Sequence, residues 1–144
     1  MIDRIFIEKK IDLIKHGLTN LETLKGYAIN EIMQDFIKYA ALKNILMEII
    51  GRAIDINEHL IAEVSDPTLK SPKTYKETFT RLQDLGILPS EFTRQIAQSA
   101  GFRNAIVHDY NNLDEHIVYR TVDEALEQYL KYCEYILAYL DQRL

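Results

Sequence analysis

The densest polar cluster away from the chain ends is Gly101-Phe102-Arg103-Asn104-Ala105-Ile106-Val107-His108-Asp109-Tyr110-Asn111. Arg103 offers a permanent cation whose planar fork of donors fits phosphate oxygens, and His108 can gain or lose a proton near neutral pH. Those are two parts of a phosphodiester-cleaving site. When a ribose 2′-hydroxyl attacks its own phosphate, one proton must be removed, another delivered to the leaving oxygen, and negative charge stabilised. His108 suits either proton transfer and Arg103 suits the charge, with Asn104 and Tyr110 as supporting groups. This chemistry needs no cofactor and no metal.

Helical spacing constrains that picture. Five residues of ideal helix turn through about 500°, which leaves positions 103 and 108 roughly 140° apart. Asn104 lies one turn before His108 and is placed to orient it. Bringing Arg103 to the same phosphate requires a helix break near His108, a bent substrate or a second protomer. A two-fold interface would also supply two histidines, one as base and one as acid.

The chain around the cluster reads as helix. Its 144 residues fit one domain, 1–144, and 47% hydrophobic with 27% charged residues, five Gly and three Pro suit a helix-rich globular protein. The apolar pattern predicts a first helix over residues 2–25, with Gly17 a place for a bend and Gly26 the better stop. A second runs from about Asn30, as N-cap, to about Val64, and its apolar residues occupy more than one stripe, the pattern of a central or shared helix. Pro67 and Pro72 mark a loop, residues 75–85 a short helix closed by Gly86, and Pro89-Ser90 the start of the helix that carries the cluster and fades near Asn111-Asn112. From Val122 to the C-terminus apolar residues again recur at helical spacing. The expected architecture is an all-α, up-and-down bundle of about five helices.

Composition sets further bounds. The first ten residues read as amphipathic helix rather than a signal peptide, and no span has the apolar length of a membrane helix. A single cysteine, Cys133, falls on an apolar stripe and suits a reducing compartment, so the expected location is the cytoplasm with no membrane association. The net charge of −5 runs against nucleic-acid binding. Residues 66–110, however, hold six Lys/Arg against five Asp/Glu, so this segment is +1 and the remainder −6.

Other clusters carry less. Asp55, His59 and Glu63 share a stripe at i, i+4 and i+8, a metal-site spacing that fits a solvated helix edge better. No Glu-x-x-His pair, Gly-rich phosphate loop or Gly-x-Ser-x-Gly elbow occurs. His16 and His116 fall near expected helix ends, where they cap or face water.

Taken together, Arg103-(four residues)-His108-Asp109-Tyr110 resembles the Arg-x4-His-x-Tyr signature of HEPN proteins, specifically the HepT family. Asp35-Phe36-Ile37-Lys38-Tyr39-Ala40-Ala41-Leu42-Lys43-Asn44, Ala53-Ile54-Asp55-Ile56-Asn57-Glu58-His59-Leu60-Ile61 and Ala100-Gly101-Phe102-Arg103-Asn104 extend the likeness over nearly the whole chain. The resemblance implies a HEPN-like fold and a homodimeric, metal-independent endoribonuclease, with one motif from each subunit meeting at the interface. It implies the toxin of a type VII-like toxin–antitoxin system acting on RNA. The implied antitoxin is a minimal nucleotidyltransferase that transfers AMP from ATP to Tyr110 and can form a larger hetero-oligomer with the toxin. Two other readings stand beside this one: a non-catalytic helical subunit that presents substrate to a nucleotidyltransferase, and a metal-binding helical protein.

Overall fold

In the computed structural model, which describes residues 1–64, 66–109 and 114–143 and gives no side-chain placement for 107–109 or 115, the described residues form six helices. They are α1 (Arg4–Lys25), α2 (Ile29–Gln34), α3 (Phe36–Val64), α4 (Tyr75–Asp84), α5 (Ser90–Asp109) and α6 (Glu115–Gln142). All six contribute to one continuous core. The 29-residue α3 is its axis, packing against each of the other five. Among the described residues no helix is long and apolar enough to cross a membrane.

The first helix shows how sequence becomes packing. Asp3 caps α1 by accepting from the Phe6 amide at 3.0 Å, and Ile7, Ile11, Ile14, Leu18 and Leu21 line its buried face at helical spacing. Gly17 lies on that face and does not interrupt the helix. A Cβ there would come within 2.9 Å of Ile49 Cγ1, so glycine is what lets α1 and α3 approach closely. His16 consequently sits exposed in mid-helix rather than at a helix end.

The expected second helix over 30–64 is two helices, which raises the count from five to six. Asp35 takes an extended backbone, φ −100° and ψ 106°, at the end of α2. Its Oδ1 accepts from the amides of Ile37 (3.0 Å) and Lys38 (3.3 Å), and its Oδ2 pairs with Lys38 Nζ at 2.9 Å. Lys38, first through its side chain and then through its amide, holds the Asp35 carboxyl below the usual range. The carboxylate thus supplies acceptors for amides that a new helix would otherwise leave unmet. Asn30 is not the cap: α2 begins after Ala28, and Asn30 Oδ1 accepts only from its neighbour Glu31.

Tighter signals agree with the sequence. Thr74 caps α4 by accepting from the Glu77 amide (3.1 Å), and Glu77 reaches back to the Lys73 amide (2.6 Å). Gly86 takes φ +77°, the left-handed region that favours glycine, and the Ile87 N–H then reaches the Leu82 carbonyl at 2.8 Å. The Pro89 carbonyl accepts from both the amide (2.9 Å) and the hydroxyl (2.7 Å) of Thr93, starting α5. Asp114 accepts from the His116 amide, so α6 begins seven residues before the Val122 pattern. His116 is exposed in its first turn, as expected.

A polar relay crosses this apolar interior. The Tyr132 hydroxyl on α6 lies 2.5 Å from Asn57 Oδ1 and 3.1 Å from the Ala53 carbonyl. Asn57 Nδ2 donates to Thr78 Oγ1 at 3.1 Å, and that hydroxyl donates to the Tyr75 carbonyl at 2.6 Å. Asn57 and Tyr132 are wholly inaccessible to solvent and Thr78 is nearly so, so a broken link would strand buried polar groups. Replacing Asn57 by Leu is expected to lower folding stability in urea titration by about 1–3 kcal/mol, and Tyr132→Phe by about 1 kcal/mol. The double variant should lose less than the sum. Cys133 is also fully buried, and burial pushes its thiol up to about 12; native protein at pH 8 should leave it unreacted with a thiol reagent that labels it at once in denaturant.

Candidate functional site

Arg103 leaves α5 toward α3 and α4. Its guanidinium carbon stands 5.0 Å from the ring centroid of Tyr75, the first residue of α4, in a cation–π stack. Together they border a groove of about 400 Å³ whose charged lining is Lys10, Arg52 and Arg103 against Glu48, Asp55 and Glu58. Lys10 pairs with Asp55 at 2.9 Å and Arg52 with Glu48 at 3.4 Å. Among the described residues Arg103 has no carboxylate partner, and its buried Nε meets no acceptor. Glu58 lines the same groove without forming an ion pair with Arg103.

Asn104, the next residue, is exposed and borders a second groove with Ser71, Lys73, Thr74 and Tyr75. Tyr75 and Glu58 line both grooves, so the tyrosine ring is the wall between them. The backbone of α5 is helical through Asp109. The step from Arg103 to His108 therefore keeps its roughly 140° offset, while positions 104 and 108 share a face. Of the three geometries open to the sequence, a helix break before His108 is removed. The His108 side chain and Tyr110 lie outside the described residues.

The Asp55–His59–Glu63 stripe serves another purpose. Asp55 binds Lys10, His59 Nε2 accepts from the Asp3 amide at 2.9 Å, and Glu63 pairs with the Met1 amine. The Phe6 ring packs on His59 at 5.2 Å between centroids. The stripe anchors the start of α1 onto α3, and among the described residues no group of His, Cys, Asp or Glu is arranged to hold a metal ion.

Sequence reasoning missed Tyr75. It falls in the first turn of a capped helix, 28 positions from Arg103, and nothing in its local pattern announces a partner that far along the chain. Only the packing of α4 on α5 and α3 brings the two together.

An all-helical bundle whose α5 carries both Arg103, bordering a surface groove, and His108 defines a class of small helical proteins. Comparison narrows it. Residues 9–136 match the family model described as Ribonuclease HepT-like. The chain belongs to the HepT-like family. It is 33% identical over 141 residues to the tRNA nuclease HepT of Aphanizomenon flos-aquae (strain 2012/KM1/D3), covering 96% of this chain and 92% of the relative. The mRNA nuclease HepT of Shewanella oneidensis is 26% identical over 132 residues, covering 92% and 96%. Among solved structures, the tri-AMPylated Shewanella oneidensis HEPN toxin in complex with MNT antitoxin superposes with a TM-score of 0.82 at 25% identity, covering 94% of this chain and 99% of the other.

Because Arg103 makes no ion pair among the described residues and its Nε meets no acceptor there, Arg103→Met should leave the unfolding free energy from urea titration within about 1 kcal/mol of the parent or raise it, in contrast to Asn57→Leu. A loss comparable to that of Asn57→Leu would show that Arg103 is a structural residue.

Proposed function

We propose that the chain is the ribonuclease toxin of a toxin–antitoxin pair, cleaving RNA without a metal through Arg103 and His108. The observation that carries this reading is the Arg103 guanidinium, fixed on Tyr75 and without a carboxylate partner among the described residues, within the Arg-x4-His-x-Tyr pattern of a HepT-like chain. The RNA 2′-hydroxyl attacks the adjacent phosphate as His108 removes its proton. The 5′-oxygen leaves with a proton from a second histidine, giving a cyclic phosphate and a 5′-hydroxyl. Arg103 donates to the non-bridging oxygens as charge builds. Relatives named for tRNA and for mRNA cleavage support RNA as the substrate class.

The continuous α5 favours a homodimer, since one straight helix does not aim positions 103 and 108 at a single phosphate. Two copies facing across a two-fold axis supply the complementary histidine. Neutralisation follows from AMP transfer to Tyr110 by a nucleotidyltransferase antitoxin, a reading supported by the AMPylated toxin complex that the fold matches. The nucleotide's bulk and negative charge beside the motif would exclude an RNA phosphate.

Purified chain should cleave RNA equally well with and without a chelator, and His108→Ala should lower the rate by about 10²–10⁴-fold. A folded, inactive parent would instead favour a non-catalytic subunit. Co-expression with the neighbouring nucleotidyltransferase should add one or more AMP units by intact mass; a shift that survives Tyr110→Phe would rule out that acceptor.

A further inference from the structure

The wall between the two grooves has no role in the chemistry so far described, yet it is the most firmly held part of the site. Tyr75 is 40% exposed. Its carbonyl accepts from Thr78 Oγ1, which accepts in turn from Asn57, while the preceding Thr74 caps the helix. These bonds fix the backbone of Tyr75 at the start of α4, and the contact with Arg103 places its ring.

One face of that ring is taken by the Arg103 guanidinium. A cation–π contact uses none of the guanidinium's N–H donors as hydrogen bonds, so the same arginine can rest on Tyr75 and bind a phosphate. The tyrosine also borders the second groove, which offers the exposed Asn104 amide and the Lys73 ammonium. An aromatic ring flanked by an amide and a cation, beside a phosphate-binding arginine, matches the chemistry of a single-stranded nucleotide: ring for base, amide for base edge, cations for backbone. An acidic peptide would use the cations and leave the ring idle.

We propose that Tyr75 is a base-stacking residue that also positions Arg103: it seats an unpaired nucleobase beside the phosphate held by Arg103. This rests on the reading of the chain as an RNA-cleaving enzyme and adds a substrate subsite to it. The subsite selects single-stranded RNA, since a base paired in a duplex does not present its face.

The test uses the whole chain and a short 2′-O-methyl oligoribonucleotide carrying one 2-aminopurine, which cannot be cleaved through its 2′-oxygen and reports stacking by fluorescence. Tyr75→Phe should bind it within about threefold of the parent. Tyr75→Leu should bind about 5–150-fold more weakly and lose the fluorescence change, the range that one stacked base contributes. The parent should bind an oligonucleotide abasic at the 2-aminopurine position as weakly as Tyr75→Leu binds the intact one. On cleavable RNA, Tyr75→Leu should raise KM through the lost stack and lower kcat through the loosened arginine, with Tyr75→Phe restoring both.

Equal binding of the intact and abasic probes by the parent overturns the proposal even where Tyr75→Leu does not fold. So does a Tyr75→Leu variant that binds like the parent, or a parent that binds neither probe. Cleavage of RNA with KM and kcat unmoved by Tyr75→Leu would overturn the subsite and leave the nuclease reading intact. Tyr75-dependent probe binding without any cleavage would do the reverse.

Discussion

A single buried amide organises this molecule. Asn57 sits in the C-terminal third of the central helix, sealed from water, with one neighbour donating to its oxygen from α6 and another accepting from its nitrogen on α4. Hydrophobic contact alone holds helices together without strongly fixing their register, because apolar packing is nearly non-directional. Hydrogen bonds to a buried amide are directional, and leaving one unmade is expensive. The Asn57 network therefore sets how α4 docks on the bundle, and the last bond in it is made to the residue on which Arg103 rests.

The same economy explains the charges. Several surface ions are paired: Lys10 with Asp55, Arg4 with Glu8 and Asp141, Lys25 with Asp123. Exposed pairs of this kind add little to stability, but they cancel the field in their vicinity. Arg103 makes no ion pair among the described residues, and its Nε is shielded and unmet there.

The places where sequence expectation and structure part company are instructive. Asp35 lies inside an otherwise unbroken apolar pattern and still divides it, because a carboxylate that serves two amides and a lysine outweighs continued helix at one position. Gly17 looks like a helix breaker and is instead the contact point of α1 with α3. His59 and Glu63 have the spacing of metal ligands and spend their polar atoms on the N-terminal segment. Asp35 was decided by near neighbours in the chain, whereas Gly17, His59 and Glu63 were decided by partners from elsewhere in the fold.

What the sequence by itself determined was the helical class, the stop at Gly86, the start of α5 at Pro89-Ser90, and the family to which Arg103, His108 and Tyr110 point. These properties are local: periodicity, capping chemistry and motif spacing are written within a few turns of chain. Tertiary structure alone decided that Tyr75 meets Arg103, that Asn57 joins three helices, and that the cation lacks a described counter-ion. Those facts depend on residues tens of positions apart converging in space. No local pattern encodes that convergence, because it is the packing of the whole core that brings them together.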